Sequence, residues 1–280
     1  MQQIPRPNFT VADVFSRIAQ STDDQGLSQR LNQSVAHAVA REQAFEGAMQ
    51  QGTPHLYPPT VTCDTLSKAD MLSVYSDQFA KERGLGRRFY SSILGLALHD
   101  RCPLCRVGVV TTVDHYLPKA RYTGIIVTPL NLLPACRDCN SFKHVRYPKI
   151  PYDHFINPYF DDFTAHKWLQ CRIQYAPDIS IAFEVDSNGL YVADDEERLK
   201  RNFSRLRLNR LFSSNAANQL IVEKSNFMMF PQHNLTQEVQ GDLNRSASTY
   251  RTLATNSWQT ALYEALASDQ AYVTGGWRSI

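Results

Sequence analysis

Six cysteines occur in the chain, and four of them form two Cys-x-x-Cys pairs, Cys102-Pro103-Leu104-Cys105 and Cys136-Arg137-Asp138-Cys139. Each pair can wrap two thiolates around one ion, and two pairs complete the tetrahedral, closed site that Zn²⁺ favours. The competing readings are disulfides and free buried thiols. Met1-Gln2-Gln3-Ile4-Pro5-Arg6-Pro7 lacks the basic-then-apolar layout of a signal peptide, so the cytoplasm is the expected compartment, where disulfides are disfavoured. A four-thiolate zinc is structural and cannot itself activate water, so any chemistry must lie elsewhere. Thirty residues separate the pairs, more than a compact zinc ribbon uses, so something is built between the knuckles.

That insertion carries Val113-Asp114-His115-Tyr116-Leu117-Pro118-Lys119 and Asn131-Leu132-Leu133-Pro134, and Asn140-Ser141-Phe142-Lys143 follows Cys139 directly. Phosphodiester hydrolysis needs a base that takes a proton from water, and histidine titrates in the right range. It also needs a hard cation such as Mg²⁺ or Mn²⁺ held by carboxylate or amide oxygens. On the end of a strand, Asp114 and His115 would point to opposite sides, one toward a cation and one toward water. Asn140, opening a helix just after a zinc-bound Cys139, would have its amide held in place.

The order Cys-x-x-Cys, Asp-His, Asn, Cys-x-x-Cys-Asn-x-x-Lys resembles the zinc-stapled branch of the HNH (ββα-metal, His-Me finger) endonucleases. The resemblance implies His115 as general base and Asp114 and Asn140 as ligands of one catalytic divalent cation. It implies Asn131 as the residue ordering the loop that holds the base. Asn140 stands where the family often has His, a variant that keeps an oxygen ligand. Lys143 either contacts phosphate or caps the short helix. More broadly, Tyr75 and Phe79, Gly86-Arg87-Arg88-Phe89-Tyr90, the Asp114–Lys119 run and Asn157-Pro158-Tyr159-Phe160-Asp161 resemble the HNH component of Septu-type antiphage systems. That resemblance implies an ATPase partner subunit.

Charge is unevenly distributed. From Lys81 to Lys149 there are twelve Lys/Arg against four acids, a net of +8, so the remainder carries −6 within a chain of net +2. Positive charge around the cysteines suits a polyanion, with a solvated basic face as the bland alternative. Lys119, Arg121 and Lys143 are the candidate nucleic-acid contacts, with DNA as the expected substrate and RNA as the alternative. The composition, 43% hydrophobic and 20% charged, fits neither disorder nor a membrane protein, and no run approaches the ~18 apolar residues of a span.

The elements that must position these residues follow from pattern. Val11, Val14, Phe15 and Ile18, then Leu31, Val35, Val39 and Phe45, predict helices over residues 1–60, a segment suited to partner docking. Gly52, Pro54, Pro58 and Pro59 suggest a boundary. Ser67 and Asp70 form a capping box before the stripe Met71, Val74, Tyr75 and Phe79, which reads as core. Val107–Val113 and Ile125–Val127 read as strands, and a helix is expected from about Arg137 to Val145. Leu169–Tyr175 and Ile179–Val185, with Pro177-Asp178 between them, predict a hairpin, and the remainder is helical. The expected fold is α+β: a small zinc-stapled ββα-metal core in a mainly helical protein with a short C-terminal β-hairpin. Its segments are 1–60, a nuclease domain over 61–150, and a hairpin plus helical domain over 151–280.

Other polar residues have bland explanations. His154, Asp161 and Asp162 read as turn and cap residues, His99 and His144 as structural histidines, and Cys63 and Cys171 as core thiols. Arg198, Arg201, Arg205 and Arg210 read as an exposed helix face or an extension of a nucleic-acid track. The functional alternative is a non-catalytic zinc module that binds nucleic acid or protein, which has no use for Asp114, His115 and Asn140 together.

Overall fold

The computed structural model describes residues 1–175 and 179–280. It is mixed helix and sheet, in two compact units, residues 1–162 and 163–280. No helix among the described residues is long and apolar enough to cross a membrane.

The first unit opens with α1 (Val11–Ser21), whose N-terminus is closed by a capping box between Thr10 and Asp13. The second helix, α2 (Gln25–Gln50), is capped by Asp24 and packs along α1. Their apolar stripes do not form a separate segment. Val14, Phe15, Ile18, Leu27 and Leu31 share one core with Met71, Val74, Phe79, Phe89, Ile93, Val113, Ile126 and Leu132. Residues 1–60 and 61–150 thus lie in one body, and the Gly/Pro-rich stretch after residue 51 is a turn inside it. The break falls after Asp162 because the 151–162 stretch is tied back. Tyr159 Oη donates to Leu132 O at 2.8 Å, Tyr116 Oη to Phe155 O at 2.9 Å, and Ile4 N to Pro158 O at 3.1 Å.

Helix α3 (Lys68–Ser73) starts at the Ser67/Asp70 capping box and runs into a π-helical turn over Val74–Phe79. Such turns displace side chains from α-helical register and are frequent at functional sites. Helix α4 (Arg87–Leu94) follows. Then comes a two-stranded antiparallel ribbon, β1 (Thr112–His115) with β2 (Leu132–Ala135), in which Asp114 faces Leu133 and His115 faces Leu132. Helix α5 (Arg137–Lys143) begins immediately after β2, with Cys136 as N-cap.

The strand expectations around the ribbon were partly wrong. Of Val107–Val113, only the last two residues belong to β1. Arg106 takes positive φ, and a Cβ on Gly108 would lie 2.8 Å from Cys136 Sγ, so knuckle geometry overrides the β-branched composition. Ile125–Val127 is buried but not a strand: Thr123–Ile125 is a single 3₁₀ turn. Gly124 donates to Thr60 O at 2.9 Å, and a Cβ there would lie 2.4 Å from Thr62 O, so the segment is pressed against another loop instead of a ladder. Burial explains its apolar composition as well as strand formation would.

The second unit pairs β3 (Leu169–Gln174) with β4 (Ser180–Val185), antiparallel from Leu169↔Val185 to Gln174↔Ser180. The expected Pro177-Asp178 turn lies outside the described residues. Helices α6 (Ala193–Arg205), α7 (Leu208–Phe227), α8 (Leu235–Leu253), α9 (Trp258–Ser268) and α10 (Gln270–Val273) complete it. Asn256 anchors the sheet edge, its Oδ1 accepting from Trp168 N at 2.8 Å and Leu169 N at 3.2 Å. Arg198 is buried against Phe163 rather than facing solvent.

Candidate metal centre and active site

All four cysteines of the two pairs are buried, and their sulfurs lie within 4.8 Å of one another. Cys105 Sγ and Cys136 Sγ are 3.9 Å apart, far beyond a disulfide bond and close to the ~3.8 Å edge of a tetrahedron with Zn–S near 2.3 Å. Gly108 N–H points at Cys105 Sγ (3.4 Å) and Cys139 N–H at Cys136 Sγ (3.5 Å), donors that favour thiolates. Sulfhydryl hydrogen bonds from Cys102, Cys136 and Cys139 hold Cys105 well below the usual thiol range, while the same crowding pushes Cys139 up. A tetrahedral ion would replace these shared protons, so the donor set fits a metal such as zinc. Cys63 and Cys171 stand apart from it, both raised by burial.

This centre caps the ribbon-helix junction: Cys136 joins β2 to α5 and Cys139 lies in the first turn of α5. It thereby fixes α5 against β1, where Asn140 Nδ2 donates to Thr112 Oγ1 at 3.2 Å. A cleft of about 550 Å³ opens beside that contact, lined by Asp114, His115, Lys119 and Asn140, with Tyr75 from the π-helical turn on one wall. Asp114, His115 and Asn140 therefore meet in one cleft. Nothing in the spacing of Tyr75 within its apolar stripe signalled its place there.

Each side chain has a definite setting. His115 Nε2 lies 2.9 Å from Ile126 O. A carbonyl only accepts, so Nε2 carries the proton and Nδ1 keeps the lone pair. Burial, with help from the Lys119 and Lys143 charges, lowers the His115 pKa to about 3, so the ring is neutral at pH 7. The Tyr75 ring packs against it, centroids 4.6 Å apart. Asn131 is wholly buried. Its Oδ1 accepts from Leu117 N at 2.8 Å, and its Nδ2 donates to Leu117 O and Ile125 O at 3.3 and 3.4 Å. It thus ties the turn after His115 to the segment bearing His115's acceptor.

Asp114 is 5% exposed, and burial raises its carboxyl against the opposing charge of Lys143. Lys143 was expected at phosphate or as a helix cap, but it is 1% exposed. Its Nζ lies 3.2 Å from Asp114 Oδ2 and donates to His115 O. A buried ammonium beside a buried carboxylate is unavailable to a polymer, so Lys143 leaves the set of substrate contacts. Apart from that ionic contact, Asp114 Oδ2 makes no hydrogen bond among the described residues. An oxygen with unused acceptor capacity, beside an amide, fits a hard cation.

Lys119 lines the cleft, its Nζ 5.2 Å from the Tyr75 ring centroid, and Arg121 is exposed just beyond. The arginines read as a possible extension of this surface behave differently: Arg198 pairs with Asp195 at 3.2 Å and Arg201 with Glu197 at 2.7 Å.

Over nearly its whole length the chain is similar to Protein ea31 of Escherichia phage lambda, at 22% identity across 98% of this chain and 100% of that protein. No family model and no solved structure matches.

Proposed function

We propose that this chain is a metal-dependent HNH (ββα-metal) endonuclease that hydrolyses phosphodiester bonds, with DNA favoured over RNA as substrate. The observation that carries the reading is the meeting of Asp114, a neutral His115 and Asn140 in one cleft, on a ribbon and helix stapled by four cysteines. In this reading Zn²⁺ holds the scaffold through Cys102, Cys105, Cys136 and Cys139. Asp114 and Asn140 would hold Mg²⁺ or Mn²⁺, which neutralises charge on the phosphate and the departing oxygen when bound. His115 Nδ1 takes the proton of the attacking water, while the Nε2–H bond to Ile126 O fixes the tautomer and aim of the ring. Asn131 holds that acceptor segment to the turn after the base. Lys143 opposes the upward push of burial on the Asp114 carboxyl and so favours the anion that a cation needs.

The test is cleavage of plasmid DNA and of RNA with Mg²⁺ or Mn²⁺. The wild type should cut, and His115→Ala should lose about 10²–10⁴-fold, the usual contribution of a positioned general base. Undiminished cleavage by His115→Ala would remove the assignment. The wider role, an antiphage effector working with an ATPase subunit, rests on the motif resemblance. It predicts that an ATPase encoded beside this gene co-purifies with the chain and stimulates cleavage.

A second reading, a non-catalytic zinc module, is favoured by one observation: Lys143 already neutralises Asp114. Calorimetric titration with Mn²⁺ separates the two, since a nuclease binds the ion in an Asp114-dependent way and a pure module does not.

A further inference from the structure

Lys119 and Arg121 stand on a fixed turn. Arg121 N and Tyr122 N both donate to Pro118 O at 3.0 Å, and Thr123 Oγ1 donates to Lys119 O at 2.7 Å. Lys119 and Ala120 line the cleft, and Arg121, the next residue, is exposed. The chain leaving α5 passes the same cleft at His144 and Val145 and then presents Tyr147, whose ring is 6.3 Å from that of Tyr122. The Arg121 guanidinium lies 4.4 Å from the Tyr147 centroid, and Lys149 Nζ approaches the same ring at 5.8 Å.

Two cations gathered on one ring repel each other, yet neither Arg121 nor Lys149 has an acidic partner among the described residues. Lys119 in the cleft has none either. Three exposed cations of residues 163–280 are paired instead: Lys200 with Glu196 at 2.5 Å, Arg245 with Asp242 at 2.9 Å and Arg251 with Glu264 at 2.6 Å. Lys200, Arg245 and Arg251 are thus neutralised by acidic neighbours, whereas Lys119, Arg121 and Lys149 are not. A guanidinium laid near an aromatic ring keeps its N–H edge outward, the fork that matches a phosphate.

We propose that Arg121 and Lys149, gathered on Tyr147, form a phosphate-binding shelf that holds a nucleic-acid strand where it enters the cleft. The proposal rests on the nuclease reading for the identity of the polymer, but it concerns binding and not hydrolysis. The ligand expected is a strand, whose successive phosphates would reach Lys119 in the cleft and the shelf beside it. Contacts to phosphate carry no base readout, so the shelf sets affinity and path, not sequence.

The experiment uses full-length, zinc-loaded His115→Ala without added Mg²⁺ or Mn²⁺. Binding of fluorescein-labelled single-stranded and duplex oligonucleotides is followed by anisotropy across a salt series. Arg121→Gln and Lys149→Gln should each weaken binding several-fold and reduce the slope of log K against log salt by about 0.7–0.9, the release expected per phosphate contact. Tyr147→Leu should lose part of the affinity and Tyr147→Phe should restore it, whereas Arg245→Gln should change neither quantity. An unchanged slope in the Arg121→Gln/Lys149→Gln double variant would overturn the shelf, as would absence of oligonucleotide binding by the unsubstituted chain. Loss of slope in a protein whose wild type never cleaves would leave the shelf standing and remove the nuclease reading instead.

Discussion

Lys143 Nζ lies 3.2 Å from Asp114 Oδ2, with the two side chains 1% and 6% exposed. An ion pair this deeply buried is held by mutual dependence, since either charge alone would be stranded in a medium that solvates it poorly. Lys143→Met should therefore destabilise the fold by about 3–5 kcal/mol, the usual penalty for breaking a buried pair. Adding Asp114→Asn should recover much of the loss. Urea unfolding of the two single variants and the double closes the cycle, and strictly additive losses would show that the pair is not coupled.

Asn131 offers a similar test without charge. Its side chain serves Leu117 N, Leu117 O and Ile125 O, all within the interior. Asn131→Ala would leave Leu117 N and Leu117 O unpaired and remove one of the two donors to Ile125 O, which keeps Thr128 N, at a cost of about 2–4 kcal/mol. Thermal melting should report that loss. Cleavage under conditions where the variant remains folded should also fall, because the acceptor of His115 Nε2 belongs to the segment Asn131 holds.

Glu42, which does not line the cleft, predicts a pH dependence of stability. Burial pushes its carboxyl up to about 7, opposed by the hydrogen bond from Val11 N and aided by the charges of Glu46 and Asp13. The unfolded carboxyl ionises near 4.5, so between those values the unfolded chain sheds its proton before the folded one does. Stability contributed by this group is thus lost as pH rises from about 4.5 to 7. Glu42→Gln keeps an acceptor for Val11 N without the charge. It should be more stable than wild type by about 1–2 kcal/mol near pH 8, with the difference closing toward pH 4. Equal stability of the two proteins across that range would contradict the assignment.

The parts of the site legible in the sequence were those fixed by local spacing. Two Cys-x-x-Cys pairs specify a knuckle regardless of what surrounds them, and the four sulfurs do converge. The adjacency of Asp114 and His115 likewise survives into a four-residue strand. What pattern could not show was the identity of long-range partners. Tyr75 sits forty residues before His115, and its apolar neighbours make it indistinguishable from core until the π-helical turn brings it to the cleft. Lys143 carries a charge that composition assigns to the surface, and only the packing of α5 on β1 turns it inward. Ile125–Val127 failed for a related reason, because buried 3₁₀ turns and buried strands draw on the same apolar residues.

The proposed nuclease would divide its labour between a thiolate centre that holds the fold and a cleft that performs hydrolysis. That division is tested most directly by measuring zinc per chain, melting and plasmid cleavage on the same preparations of wild type, His115→Ala and Cys136→Ser. The account predicts that His115→Ala keeps its zinc and its melting transition while losing cleavage, and that Cys136→Ser loses zinc and cooperative folding together. His115→Ala that cuts like wild type, or that loses zinc and fold to the same degree as Cys136→Ser, would contradict it.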